Sequence, residues 1–373
     1  MLNAQLIDLA RRCAPEAEEK RCLPERLVEE LRSAGLLNLF IPSHLGGLGW
    51  SVAEGLECFE ELAGADGSTG WVAMITSTTG ISAAYLPEAG AGEIFGGGSV
   101  VGGVIAPKGV ARRVEGGYVV TGRWPFVSAS PHCGWLGGGA VVEGDPLLPS
   151  GRPDVRMMFW PAIEVEILDT WHVSGLRATS SHDMVVKDQF VPAHHSCSYL
   201  SGRPRLPERQ FQFPLFGVLA VGIGAVCLGI ARASIDQLTD LAGAKTPAWS
   251  ARRLVDRPAV QESVARAEAR LGAARSYLFS SVNEVWESSG EGEIDLAKRS
   301  RLRMAATLAA TESAAVVDAM YSAGGGTSIY ESSPLQRQFR DVHTATQHMM
   351  VAQPSWEMAG KALLGLEFDA STL

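Results

Sequence analysis

The sequence lacks the short motifs that identify the most common catalytic and nucleotide-binding sites. It contains no G-x-G-x-x-G, no G-x-x-x-x-G-K-[ST], no G-x-S-x-G and no H-E-x-x-H. These absences argue against a dinucleotide fingerprint, a P-loop, a serine-hydrolase elbow and a zinc protease. The six cysteines form no C-x-x-C pair, so we expect free thiols in a reducing cytoplasm and no metal site.

Excess positive charge is also absent. The formal net charge is −9, which argues against nucleic acid and anionic membrane surfaces as partners. The first twenty residues lack the basic-then-apolar order of a secretory signal. What is present is ordinary globular composition, 46% hydrophobic and 20% charged, with ample material for a core.

One long apolar run could be taken for a membrane span. Residues 210–231 carry no charge, and by length this segment is a transmembrane candidate. Glycines recur through it, which favours close helix packing, and no second span or polybasic flank accompanies it. We predict a core helix, at the centre of a bundle or at a subunit contact, with a membrane helix as the alternative.

The texture of the chain divides it into three segments. Residues 1–97 show helical spacing, residues 98–203 are short β-rich runs with turn residues, and residues 204–373 are helical again.

Local signals within the first two segments predict individual elements. Pro24 at a helix start, Ser51 with Glu54 in capping-box register, and a tight hairpin at Gly116-Gly117 are the clearest of them.

Two of the eight histidines lie in the stretch QRQFRDVHTATQHMM, which we predict to be one helix. A separation of five residues places His343 and His348 about 140° apart, so they are not a helical metal pair. Asp341 and Thr344 share the face of His348. An ordinary pKa near 6.5 suits a histidine to proton transfer, although a core or interface histidine is the alternative.

Several motifs together resemble the acyl-CoA dehydrogenase family over nearly the whole chain. They are GLLNLFIPSHLGGLG, ADGSTGWV, GGYVVTGRWPFVSASPHCGW, WHVSGLRATSSHDMVVKDQFVP and GGGTSIYESSPLQRQFRD. The resemblance implies an α+β acyl-CoA dehydrogenase-like fold, with an N-terminal helical domain, a middle β-barrel or sandwich and a C-terminal four-helix bundle. It also implies a homotetramer.

The glutamate base of the dehydrogenases is missing. In that family the base follows the Arg-Asp helix or lies on the first long bundle helix, and here RDVHTATQHMM and PLFGVLAVGIGAVCLGIA contain no glutamate. A dehydrogenase without its base lacks the group on which its chemistry depends. This absence argues against the family's best-known activity.

The flavin-dependent two-component monooxygenases keep the fold and carry a histidine after the Arg-Asp pair. SPLQRQFRDVHTATQH and GRWPFVSASPHCGW are similar to that branch. The resemblance implies reduced FMN or FAD from a separate NAD(P)H:flavin reductase, O2 as co-substrate and a C4a-hydroperoxyflavin. His348 is the first choice for the catalytic histidine, and His343 is the second.

The same resemblance assigns the remaining site residues. Ser128 is expected beside the flavin ring with a catalytic role. The residues expected at the cofactor are Phe126, Ser128, Gly103, Val104, Ile105, Ala106, Arg177, Thr179, Ser180, Ser181 and, across a subunit boundary, Arg252. Those expected at the substrate are Trp71, His132 and Met349, with His132 equally plausible as a structural residue.

The substrate itself stays open. The family's phenol hydroxylase has a further histidine in the β segment, and SVVGGVIAPKG has none, which puts a simple phenol in doubt. Carbon, nitrogen and sulfur oxidation all remain possible. A dehydrogenase with a displaced base and a non-catalytic binding partner are the alternatives.

Overall fold

The computed structural model describes residues 2–373 and begins with a layer of short helices. The five helices of this layer are α1 (Ala4–Lys20), α2 (Glu25–Ser33), α3 (Val52–Ala65), α4 (Gly67–Thr79) and α5 (Glu88–Phe95). The predicted capping box is confirmed at α3, where the Ser51 hydroxyl accepts from the Glu54 amide and Glu54 accepts from the Ser51 amide. Pro24 is the N-cap of α2 and not its first helical residue.

The middle segment is one mixed sheet of seven strands, in the order β5-β6-β2-β1-β3-β4-β7. The strands are β1 (Val101–Val114), β2 (Gly117–Val127), β3 (Trp135–Val142), β4 (Val155–Pro161), β5 (Glu166–Leu168), β6 (His182–Pro192) and β7 (Ser196–Ser198). The β1–β2 hairpin is confirmed, but its two-residue loop is Glu115-Gly116 and not the predicted Gly116-Gly117, because Gly117 already pairs with Val114. All pairs are antiparallel except β1 with β3.

Trp124 organises the core of this sheet. Its indole is fully buried, donates to the Gly139 carbonyl oxygen at 2.8 Å and lies 5.7 Å from the ring of Trp160. Glycine is required at Gly138, since an added Cβ there would lie 2.6 Å from the indole. Strand β3 carries glycine at this position because the Trp124 indole occupies the space that a side chain would need.

The third segment is the helical bundle. Its helices are α6 (Arg209–Gln212), α7 (Leu215–Ala244), α8 (Pro258–Ser288), α9 (Leu296–Gly324), α10 (Pro334–Ala345) and α11 (Pro354–Leu363). The apolar run forms most of α7, which is long and apolar enough to cross a membrane but has 83% of its most apolar window buried inside the protein. Gly229 lets α7 approach the Gly64 region of α3 closely, so the first and third segments share one core.

The predicted single helix over residues 336–350 is wrong at its end. α10 stops at Ala345, and His348 lies in the following turn. The reason is local, because the Thr346 hydroxyl occupies the His343 carbonyl oxygen at 2.9 Å and the Gln347 amide bonds instead to the Thr344 carbonyl. The shared helical face predicted for Asp341 and His348 therefore does not exist. A further helix, α11, was also not predicted.

Candidate active site

Helix α4 places an indole at the junction of the three segments. Asp66 caps this helix, because its carboxylate accepts from the amide and the hydroxyl of Thr69 at 2.9 and 2.8 Å. Almost every residue of α4 is buried, and Trp71 is 7% exposed. The cap and the burial together hold the indole in one position.

The indole of Trp71 points at a hydroxyl cluster that we define as Ser128, Thr179 and Ser181. Trp71 Nε1 donates to Ser128 Oγ at 3.1 Å, and Ser128 Oγ lies 2.7 Å from Ser181 Oγ. Ser181 Oγ lies 2.7 Å from Thr179 Oγ1. All three hydroxyls are buried, so each bond is made where water does not compete.

The turn between β5 and β6 carries two of the three residues of this cluster, Thr179 and Ser181. Residues Arg177–Thr179 form a single 3₁₀ turn flanked by Leu176 and Ser180, both in the left-handed region with φ of 49° and 47°. The Ala129 amide donates to the Thr179 carbonyl at 2.8 Å and ties the turn to the end of β2. Non-glycine residues hold such angles only where surrounding contacts fix them, which is common at functional sites.

His348 lies next to Trp71. The two rings are 5.9 Å apart with planes tilted by 59°. The Met350 amide donates to His348 Nδ1 at 3.2 Å, so the proton of the neutral ring resides on Nε2. Burial, reinforced by the positive charge of Arg303, lowers the pKa of His348 from 6.5 to about 4. The ring is therefore neutral at physiological pH and offers an Nε2–H donor.

Phe126 is an exposed aromatic side chain beside this buried cluster. It is 65% exposed, has a φ of 68° and meets the Trp171 ring edge-on at 6.1 Å. Holding a phenylalanine in the left-handed region costs about 1–3 kcal/mol. The protein keeps this strained backbone conformation, and the conformation directs the ring to its position beside the cluster. An exposed flat ring next to buried hydroxyls fits a planar heteroaromatic cofactor that would cover the ring and bond to the hydroxyls.

Arg177 supports the same fit. Its Nε is buried without a hydrogen-bond partner among residues 2–373 and lies 3.8 Å from Glu18, beyond hydrogen-bond reach. A buried donor without an acceptor indicates a ligand that supplies one. Phosphate oxygens are suitable acceptors for a guanidinium. The donor set thus agrees with a flavin mononucleotide or dinucleotide.

Several predicted site residues do not join this cluster in the described chain. His343 Nε2 bonds to Asp318 at 2.8 Å, and the His343 ring lies 4.6 Å from that of Phe339 with the planes tilted by 60°. His132 is buried beside Cys22, with His132 Nε2 3.4 Å from the sulfur. Met349 is 68% exposed, and Arg252 is exposed in the loop before α8.

A small cavity that was not predicted lies between α4, β1 and α7. It measures about 70 Å³, and Gly103 and Ile105 of the predicted cofactor stretch line it. The remaining lining residues are Ile75, Thr78, Thr79, Met157, Tyr199, Leu215, Phe216 and Leu219. Ile75, Thr78 and Thr79 share the face of α4 that carries Trp71, a helical spacing that the sequence already contained.

A larger cleft lies elsewhere in the protein. It measures about 420 Å³ and is lined by residues that include Glu25, Arg32 and His132. It contains none of Trp71, Ser128 and His348. We therefore place the site at the hydroxyl cluster, since the buried hydroxyls, the Trp71 indole and His348 lie together there.

The chain is similar to known proteins over most of its length. The family models for the N-terminal and C-terminal domains of acyl-CoA dehydrogenase match residues 6–93 and 221–353. Indole-3-acetate monooxygenase of Pseudomonas putida is 33% identical over 94% of this chain and 89% of that protein. The FADH2-dependent resorcinol hydroxylase oxygenase component of a Rhizobium species is 29% identical over 98% and 93%. The chain belongs to the flavin-dependent monooxygenase branch of the acyl-CoA dehydrogenase family.

Solved structures agree with this assignment. The 3-HSA hydroxylase of a Rhodococcus species has a TM-score of 0.89 at 26% identity, covering 99% of this chain and 97% of that one. XiaF of a Streptomyces species, in complex with FADH2 and glycerol, has a TM-score of 0.89 at 28% identity, covering 98% and 96%. The family, the fold class and the enzyme class predicted from the sequence are confirmed.

Proposed function

We propose that this monooxygenase is an oxygenase component that oxidises a small aromatic or related secondary-metabolite substrate, with flavin supplied by a separate NAD(P)H:flavin reductase. The observation that carries the proposal is the convergence of neutral His348, the Trp71 indole and the hydroxyl cluster beside the exposed ring of Phe126. The relatives named above act on indole-3-acetate and resorcinol, which are aromatic.

The hydroxyl cluster, together with Phe126 and Arg177, would hold the flavin. Phe126 would pack against its ring, Ser128 and Ser181 would bond to its polar edge, and Arg177 would bind its phosphate. Reduced FMN or FAD, when bound, supplies the electrons that activate O2. Arg252, in an exposed loop, is proposed to reach the flavin tail of a neighbouring subunit in a homotetramer.

His348 would act on the substrate side. Since its Nδ1 accepts from a backbone amide, its Nε2–H can donate to an oxygen atom of the reacting groups. A neutral donor stabilises developing negative charge on that oxygen without needing a proton from bulk water. Base action on a phenol would require the other tautomer, so the geometry favours donation.

The small apolar cavity beside Ile75 and Ile105 would receive part of the substrate. It opens between α4 and α7, next to the face that carries Trp71. Apolar walls exclude water, which protects reactive oxygen species from unproductive decay. The same walls select an apolar or aromatic group.

We place the protein in the cytoplasm, since its one membrane-length helix is mostly buried.

Stopped-flow absorbance tests the proposal. Protein loaded anaerobically with reduced FMN or FAD is mixed with oxygenated buffer, and the appearance of oxidised flavin is followed. We expect a lag before oxidised flavin appears, and His348→Gln should shorten or lengthen it while binding flavin normally. Immediate oxidation with both flavins, or flavin reduction by acyl-CoA substrates, would overturn the monooxygenase assignment.

A further inference from the structure

Asp341 is a buried carboxylate outside the hydroxyl cluster. It sits on α10 and is 2% exposed, yet its Oδ1 accepts from the backbone N–H of Leu176 at 2.6 Å. Leu176 lies on the other side of the site, in the turn that carries Thr179 and Ser181. A buried carboxylate thus reaches from the helix ahead of His348 to the turn that would face the flavin.

The backbone around this bond is pressed together. A Cβ added at Gly175 would collide with the Arg340 carbonyl oxygen, so only glycine fits at this position. The Arg340 guanidinium donates to the Ser174 carbonyl and pairs with Glu18 at 2.7 Å. Arg340 and Asp341 of α10 therefore hold residues 174–176 of the turn. Their side chains bond to the Ser174 carbonyl and the Leu176 amide, and the Arg340 main chain packs against Gly175.

A continuous series of hydrogen bonds starts at Leu176. Its carbonyl accepts from Thr179 Oγ1 at 2.9 Å, and Thr179 Oγ1 lies 2.7 Å from Ser181 Oγ. From there the bonds run through Ser128 to Trp71 Nε1. Asp341 is thus the first member of a series that ends at the indole facing His348.

The same carboxylate also touches the start of α4. Asp341 Oδ2 lies 3.1 Å from where a Cβ of Gly67 would be, and Gly67 follows the cap residue Asp66. Burial, then the charge of Asp66, raises the pKa of Asp341 to about 7, while Arg337 and the Leu176 amide oppose the shift. Glu18 is the remaining charged group that faces it. Asp341 therefore contacts or faces α1, α4, α10 and the turn.

We propose that Asp341 is a positioning residue of the oxygenase site: it fixes the turn 174–181, and with it the hydroxyl cluster, relative to the segment that carries His348. The acceptor oxygen matters more than the charge, since a single backbone amide is the bonded partner. The effect of Asp341 on catalysis rests on the proposed function. Its effect on the position of the turn rests on the hydrogen bond to Leu176 alone.

Hydrogen exchange tests the structural part without any flavin. In Asp341→Ala the amides of residues 174–181 should exchange about tenfold faster or more, since the Leu176 amide loses its acceptor. Asp341→Asn retains an acceptor oxygen and should stay within about threefold of the wild type. Asp318→Ala, which removes the acceptor of a different bond to α10, is the matched control and should leave the turn unchanged.

A double-mutant cycle tests the catalytic part. Asp341→Ala and Thr179→Val break the same series at different links, so each should raise hydrogen peroxide release at the expense of product, and Asp341→Asn should rescue coupling. Their combination should be no worse than the stronger single change. The measurements are flavin affinity, O2 consumption and product formed by the holoenzyme.

The outcomes separate the two proposals. If the wild type shows no lag in flavin oxidation, the proposed function fails, and hydrogen exchange alone decides the role of Asp341. If the wild type shows the lag but Asp341→Ala keeps wild-type exchange in the turn and wild-type coupling, Asp341 is not a positioning residue. Additive effects in the double variant would equally overturn the shared series.

Discussion

His348 should make the stability of the protein depend on pH in a defined window. Its pKa is lowered from 6.5 to about 4 in the folded state, so between these values the unfolded chain binds more protons than the folded one. The free energy of unfolding must then rise with pH across that window, and the contribution is lost as pH falls below 6.5. At about pH 5 the expected loss is about 2 kcal/mol, because one unit corresponds to about 1.36 kcal/mol.

Urea denaturation at about pH 5 and pH 8 measures this difference directly. Asp341, whose pKa is raised to about 7, acts in the opposite direction, so the wild-type profile alone would hide part of the effect. The informative quantity is the wild type minus His348→Gln, which removes only the titrating ring. His44→Gln, at an exposed histidine, is the control and should keep the wild-type difference. If His348→Gln loses as much stability as the wild type at the lower pH, the lowered pKa of His348 is refuted.

Three further changes test the site and the sheet. Ser128→Ala leaves the buried Trp71 N–H without an acceptor and should lower the free energy of unfolding by about 1–3 kcal/mol in denaturation experiments, with weaker flavin binding by fluorescence titration. Phe126→Gly should stabilise the flavin-free protein by about 1 kcal/mol, because it relieves a φ of 68°, yet raise the Kd for reduced flavin; destabilisation would show that the ring packs for the fold and not for a ligand. Gly138→Ala should cost about 1–3 kcal/mol in thermal or urea unfolding, since the added Cβ would lie 2.6 Å from the Trp124 indole, and a neutral result would contradict the close packing described here.

Patterns that depend on near neighbours were predictable from the sequence. The capping box at Ser51, the hairpin after Val114 and the buried helix within residues 210–231 follow from contacts a few residues apart or from composition. The resemblance of several short motifs, in a helical–β–helical order, indicated the family and its branch, which the comparisons confirm. Ser128, Thr179 and Ser181 were each expected at the cofactor, but the hydrogen bonds that join them into one cluster were not predicted.

Contacts between distant residues were decided only by the tertiary structure. His343 and His348 are two histidines five residues apart, and α10 ends between them at Ala345. His343 therefore bonds to Asp318, whereas His348 lies beside Trp71. His132 is close to Ser128 in sequence but lies against Cys22 instead. The sequence alone established which residue types are available for an oxygenase site, because a motif, or the lack of one, is read from neighbouring residues in the chain. Packing determined which of them meet, because the bond from Asp341 to Leu176 spans 165 positions and exists only in the folded chain.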